Sequence, residues 1–308
     1  MNRPRSKAGV QVFVENPGHS NGCEGWLNGK ISVASRLMRL GKRWLFAFLG
    51  AIAMAGCQSL GRGDQEPLRV LVYNIHAGTD AARVPNLERV AKIIKDSRAS
   101  VVLLQEVDRK TRRSGSVDQL ARLRELTGYR GVFGKTIDYD GGEYGIAILS
   151  KWRIASSAFA PLPVEGAPAS FEARGALVAR IVSPYGIIRA VNTHLDATRA
   201  DTYRIQQSKT LGSLARAQSD SGFTLLGGDM NSEPSSEPIR NLAEAGWQDL
   251  FASCGNGQTF SFPADKPEKR IDYLLGRGGT KCVRAEILDT QASDHRPVLF
   301  EVVPPGRD

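Results

Sequence analysis

From Leu68 to Val302 the chain alternates apolar runs of strand length with longer stretches whose apolar residues recur near a 3.6 period. Residues 68–75, 100–105, 144–149, 176–182, 187–193, 223–226, 271–275 and 297–302 predict strands. Residues 86–97, 117–127, 199–218 and 236–245 predict helices. Strands and helices interleaved in this way point to one mixed α/β domain, and no internal repeat interrupts it. Residues 158–169, which contain Pro161, Pro163 and Pro168, and residues 139–143 are expected as loops.

The N-terminal 57 residues follow different rules. Residues 39–43 are basic, an apolar run covers 44–55, and Gly56-Cys57 follows. That run is too short to span a bilayer, and small residues before a cysteine mark processing. The segment resembles a bacterial lipoprotein signal peptide over 38–57, with Cys57 as the lipidated residue, although Met54 stands where Leu is usual. An ordinary signal peptide or an uncleaved anchor is the alternative. Met38, just before the basic run, is the expected start, with 1–37 an upstream extension and 58–67 a Gly-rich polar tether. The resemblance implies a cell-envelope lipoprotein held to the membrane by an N-terminal lipid. Gln58 after the acceptor favours the outer membrane; the alternative is a secreted or periplasmic protein.

This leader explains the charge. It holds eight Lys/Arg and two Asp/Glu, so it carries +6 of the net +9. The remainder is close to balanced, and the pI near 9.5 is no argument for nucleic-acid binding. Cys254 and Cys282 are left in a chain expected to be exported, where either a disulfide or two separate buried thiols would fit.

Polar residues cluster at the strand ends. Residues 223–226 run into Gly227-Gly228-Asp229-Met230-Asn231, and in an extended backbone Asp229 and Asn231 would face one side with Met230 turned to the core. A turn built on Asx residues has the same pattern. Further such ends are Asn74-Ile75-His76, Gln105-Glu106, Thr193-His194-Leu195-Asp196, Arg270-Ile271-Asp272 and Ser293-Asp294-His295.

Together and in this order, these motifs resemble the endonuclease/exonuclease/phosphatase family across residues 68–303. The resemblance implies a four-layer α-β-β-α sandwich, two mixed β-sheets flanked by helices. It implies hydrolysis of a phosphodiester or phosphomonoester by His-activated water, with Mg2+ or Mn2+. His295 is then the general base, near the ordinary imidazole pKa of about 6.5, and Asp272 orients it. Glu106 is the principal metal ligand, Asn74 assists it, and Asp294 completes that environment or a second metal site. Asn231 would hold a phosphate oxygen, Asp229 would orient water or act at the leaving group, and His194 would donate to phosphate. Arg174 and His76 are further candidates for the substrate phosphate. Arg109, Arg113 and Asp118 fit a solvated turn or substrate contacts, and Tyr144 fits the core.

Substrate identity is less constrained. Thr193-His194-Leu195-Asp196 lacks the Tyr typical of abasic-site endonucleases, and no basic-aromatic insertion marks a nucleic-acid groove. An envelope-anchored phosphoesterase for small phosphoesters or lipid headgroups is the first expectation. A nuclease of the deoxyribonuclease type is the alternative, and an inactive binding module a third; no obligate protein partner is implied.

Overall fold

A computed structural model describes residues 11–13, 66–216 and 222–305. Cys57, the signal segment 38–57 and nearly all of the tether lie outside the described residues. The strands are β1 (Gln11–Phe13), β2 (Leu68–Asn74), β3 (Val101–Arg109), β4 (Arg130–Tyr139), β5 (Gly142–Ser150), β6 (Arg153–Pro161) and β7 (Gly175–Ser183). Six follow: β8 (Gly186–His194), β9 (Gly222–Asp229), β10 (Gln248–Asp249), β11 (Asp272–Gly276), β12 (Lys281–Ile287) and β13 (Val298–Val303). The helices are α1 (Leu87–Asp96), α2 (Gln119–Thr127), α3 (Thr202–Arg216), α4 (Glu237–Glu244) and α5 (Leu250–Cys254).

Two mixed sheets form, ordered β12-β13-β2-β3-β5-β4 and β1-β6-β7-β8-β9-β11-β10. Each contains one parallel pair, β2 with β3 and β8 with β9. Side chains alternate along each strand, so β2 sends Val70 and Val72 between the sheets and Leu71 and Tyr73 outward. The inner layer joins Val70, Val72, Leu103 and Ile148 to Leu177, Ile188, Leu225 and Leu274. Outward, Leu71, Leu104 and Leu149 meet Leu87, Val90, Ala91 and Ile94 of α1, which recur at helical spacing. On the far side Val191, Leu226 and Tyr273 meet Leu211 of α3 and Ile239 and Leu242 of α4. The layers are therefore α-β-β-α. Burial on both faces explains why the central strands read as continuous apolar runs.

The strands that the sequence pattern misses lie at or next to sheet margins. β4 and β12 are edge strands with exposed polar positions, β10 is a two-residue edge, and β6 is flanked outward only by β1. Residues 158–161, expected as loop, belong to β6, and the 139–143 loop shrinks to a turn at Asp140-Gly141. β1 falls within residues 1–37, the stretch expected as an upstream extension, and pairs antiparallel with β6.

Cys254 at the end of α5 and Cys282 on β12 form a disulfide across a separation of 28 residues. Loop-closure entropy predicts that Cys254→Ser with Cys282→Ser loses about 3 kcal/mol of unfolding free energy. Urea melts of the two forms measure it, with mass spectrometry confirming the oxidation state.

Candidate active site

All six polar strand ends gather at one end of the two sheets. Asn74 pairs in register with Gln105, His194 with Asp229, and Asp229 with Asp272. The β3–β5 register shifts between Leu104 and Val107, and within that irregularity Glu106 adopts φ 55°. Such a bulge re-aims a side chain that regular pleating would direct elsewhere. On β9, Gly228 has φ 140°, and an added Cβ would stand 1.9 Å from the Thr193 carbonyl oxygen. Only glycine lets β8 and β9 approach so closely at that point.

Asp229 and Asn231 converge, but not through an extended backbone. Asn231 has φ 48°, and its N–H donates to Asp229 Oδ1 at 2.8 Å, an Asx turn. Met230 is fully buried in the layer under α3 and α4. The turn and the site are the same structure.

His295 is the centre of the charge network. Its Nδ1 lies 2.9 Å from Asp272 Oδ2 and its Nε2 3.6 Å from Asp229 Oδ2. Ser261 Oγ donates to the same Asp272 oxygen at 2.6 Å, and the Phe262 ring packs 4.7 Å from the imidazole. Burial alone would lower the His295 pKa, but Asp272 and Asp229 outweigh it and push it up to about 10. Asp229 is itself raised, first by burial and then by Asp272, against the lowering effect of His295. His295 thus sits in this arrangement as an imidazolium, above the ordinary range expected from sequence.

Asn74 bridges the rest. Its Nδ2 donates to Glu106 Oε1 and Asp229 Oδ2, each at 3.1 Å, and its Oδ1 accepts from the His76 N–H. Asp229, Asp272 and His295 also bring ligand atoms within 4.8 Å of one another, a spacing one cation could share. His295 Nδ1 is already committed to Asp272, so Asp229 is the member that links this trio to Asn74 and Glu106. Asp294 accepts from Ser293 Oγ at 3.2 Å and lies 3.6 Å from His76 Nε2.

His194 is neutral: burial lowers its pKa well below the ordinary value, and Arg174 and His295 lower it further. Arg174 Nη1 lies 3.1 Å from His194 Nδ1, and a guanidinium can only donate. That contact places the ring proton on Nε2, which points toward Asp229 Oδ2 at 3.6 Å; Asn231 Nδ2, 3.0 Å away, is itself a donor and gives its hydrogen bond to the Leu195 carbonyl. His76 does not join the phosphate-facing group; it meets Asp294 and the Asp80 carbonyl instead.

Three residues are positioned in ways that sequence reasoning misses. Ser261 has no pattern around it that would mark it. Asn192 donates to the Leu104 and Ala147 carbonyls and accepts from Gln105 Nε2 at 2.6 Å, tying the two sheets beneath the site. Tyr144 is not only a core aromatic: its hydroxyl bonds Arg174, and burial followed by Glu106 raises its pKa. Arg109 instead pairs with Glu143, and Asp118 caps α2 through the Ala121 N–H.

Residues 71–295 match the profile of the Endonuclease/Exonuclease/phosphatase family, and the chain belongs to that family of phosphoester hydrolases. The inositol phosphosphingolipids phospholipase C of Schizosaccharomyces pombe is 29% identical over 232 residues, covering 70% of this chain and 53% of that protein. The chain thus spans about half the length of that relative. The uncharacterized protein YbhP of Escherichia coli K12 is 25% identical over 257 residues, covering 78% of this chain and 97% of YbhP. A crystal structure of an endonuclease/exonuclease/phosphatase from Beutenbergia cavernae superposes with a TM-score of 0.70 at 24% identity, covering 79% of this chain and 73% of the other. That likeness supports the four-layer fold.

Proposed function

We propose that this protein is a divalent-metal-dependent phosphoesterase of the cell envelope, acting on small phosphoesters or lipid headgroups. The observation that carries it is His295, braced by Asp272 and directed at Asp229 beside the Asn74–Glu106 pair. The donors fit Mg2+ or Mn2+: carboxylates of Glu106, Asp229 and Asp294 outnumber the one imidazolium among them, and a hard cation would balance that excess. Glu106 and Asn74 would hold it, with Asp294 completing the surroundings. When bound, such an ion withdraws charge from the phosphate oxygens and acidifies water.

The chain's own groups supply the rest. His295 takes the proton of the attacking water, and Asp272 keeps Nδ1 protonated so that Nε2 is the accepting atom. His194, neutral and protonated on Nε2, donates to a phosphate oxygen without adding a second buried charge. Asn231 holds another oxygen, and Asp229 orients the water. Arg174 acts through His194 by fixing its tautomer.

The envelope assignment rests on the leader before Cys57, and the disulfide between Cys254 and Cys282 suits an oxidising compartment. Loss of lipid labelling in Cys57→Ser is the expected result. For the chemistry, the purified chain is assayed with Mg2+ or Mn2+ against bis-p-nitrophenyl phosphate, sphingomyelin, phosphatidylinositol phosphates and plasmid DNA. Glu106→Gln is expected to remove activity on whichever substrate turns over. Plasmid nicking without lipid or small-phosphoester hydrolysis would move the assignment to a nuclease.

A further inference from the structure

Beside Glu106 and His194 a cleft of about 230 Å³ opens, bounded by Arg83, Arg113, Tyr139, Tyr144 and Arg174. Ile137, Glu172 and Ala197 complete its walls. On the phosphoesterase reading this space would adjoin the scissile phosphorus and receive the group that it carries.

Its best-defined cation is Arg113. Nε and Nη2 donate at 2.7 Å to the two oxygens of Asp108, which is fully buried on β3 two residues after Glu106. Thr111 Oγ1 bonds the same carboxylate at 2.7 Å. The guanidinium lies 4.5 Å from the Tyr139 ring centre and 5.4 Å from that of Tyr144. Two of its three nitrogens are therefore spent on holding the plane in place, and Nη1 is the one not used on Asp108. Burying an ion pair here is a poor way to gain stability compared with apolar packing, because both charges lose water. A guanidinium whose fork is fixed on Asp108 and whose remaining nitrogen is left over has a clearer use as a single, oriented donor to an anion.

Two other cations frame the same space. Arg83 sits on the opposite loop in an exposed position with φ 65°. Arg174, only 6% exposed, is held by His194 and by Glu172 at 2.9 Å, and its Nε has no hydrogen-bond partner. A neutral substituent would leave these donors unmatched. The cleft is a bounded pocket, and the exposed Tyr139 ring supplies a flat wall, so a compact headgroup fits better than a polymer track.

We propose that this cleft binds a second anionic group of the substrate, a phosphate carried a few bonds from the scissile phosphoester, and that Arg113 selects for it. This rests on the phosphoesterase reading of the adjoining site and adds the class of substrate. The phosphate could belong to a soluble bisphosphate or to a phosphorylated lipid headgroup.

Calorimetry on the full chain with Mg2+ tests binding directly, with inositol 1-phosphate and inositol 1,4-bisphosphate as probes. The bisphosphate is expected to bind at least tenfold more tightly. Arg113→Gln is expected to bring the two affinities within about twofold, with a circular dichroism melt confirming the fold. If Arg113→Gln does not fold, Arg83→Gln on the exposed loop is the second variant, with a smaller narrowing of the ratio expected. Equal affinities in the unaltered chain, or a ratio untouched by either variant, would overturn the proposal. Kinetics on inositol 1,4-bisphosphate and on vesicles of phosphatidylcholine with phosphatidylinositol 4-phosphate then distinguish the soluble source from the lipid one. Discrimination in binding without turnover of any probe would leave the second-anion site standing and remove the catalytic reading.

Discussion

His295→Ala is expected to lower kcat by about 10²–10⁴-fold with KM little changed, the usual range for loss of a general acid–base group. The reasoning is geometric. Among the described residues no other group near Asp229 can accept a proton from water while held by a carboxylate on its far side, and His194 is occupied by Arg174. Asp272→Asn should leave the ring in place but remove the charge that fixes the tautomer, lowering kcat by roughly 10²-fold or more. Ser261→Ala removes one donor to Asp272 Oδ2 and should cost much less. The measurement is steady-state kinetics on bis-p-nitrophenyl phosphate with metal saturating, plus thermal melts to show that each variant folds. A His295→Ala enzyme within tenfold of the unaltered rate would mean that water is activated elsewhere.

Much of this was legible in the sequence because the central strands are buried on both faces. That burial leaves eight apolar runs, and their ends set Asn74, Glu106, His194, Asp229, Asp272 and His295 at one edge of the sandwich. The strands that escaped have a different physical setting. β4 and β12 keep polar residues where they face water, so neither apolar content nor alternation marks them. The site was less legible where geometry depends on backbone turning. Asp229 and Asn231 meet at His194 because Asn231 takes a left-handed conformation, not because two side chains share a pleat. Ser261 and the Arg113–Asp108 pair were hidden for a related reason. Arg113 folds back on Asp108 across five residues and Ser261 reaches Asp272 across eleven, and neither separation is a helix or strand spacing that a sequence pattern marks.

The second large effect is on pH dependence in the absence of metal. His295 has a folded pKa of about 10, raised by Asp272 and Asp229 against the effect of burial, whereas an unfolded histidine titrates near 6.5. A raised folded pKa means that the stabilisation is complete below about 6.5 and is lost as pH rises through the folded value. Asp229, raised to about 7, gives a loss of the same sign at lower pH, between the ordinary carboxylate value of 3.8 and about 7, so the fall above pH 7 belongs to His295. In chelator, the melting temperature should therefore fall steadily between pH 6.5 and 10, and His295→Gln should flatten that slope. The imidazole signals of His295, followed by NMR, should still show the protonated ring at pH 8. Adding Mg2+ should bring its midpoint down toward neutrality, because a divalent cation among Glu106, Asp229 and Asp294 opposes the field that holds the proton. Such a shift would let His295, otherwise protonated between two carboxylates, serve as a base near neutral pH. A midpoint near 6.5 in chelator, unmoved by Mg2+, would show that the carboxylates around His295 neither hold its proton nor share a cation.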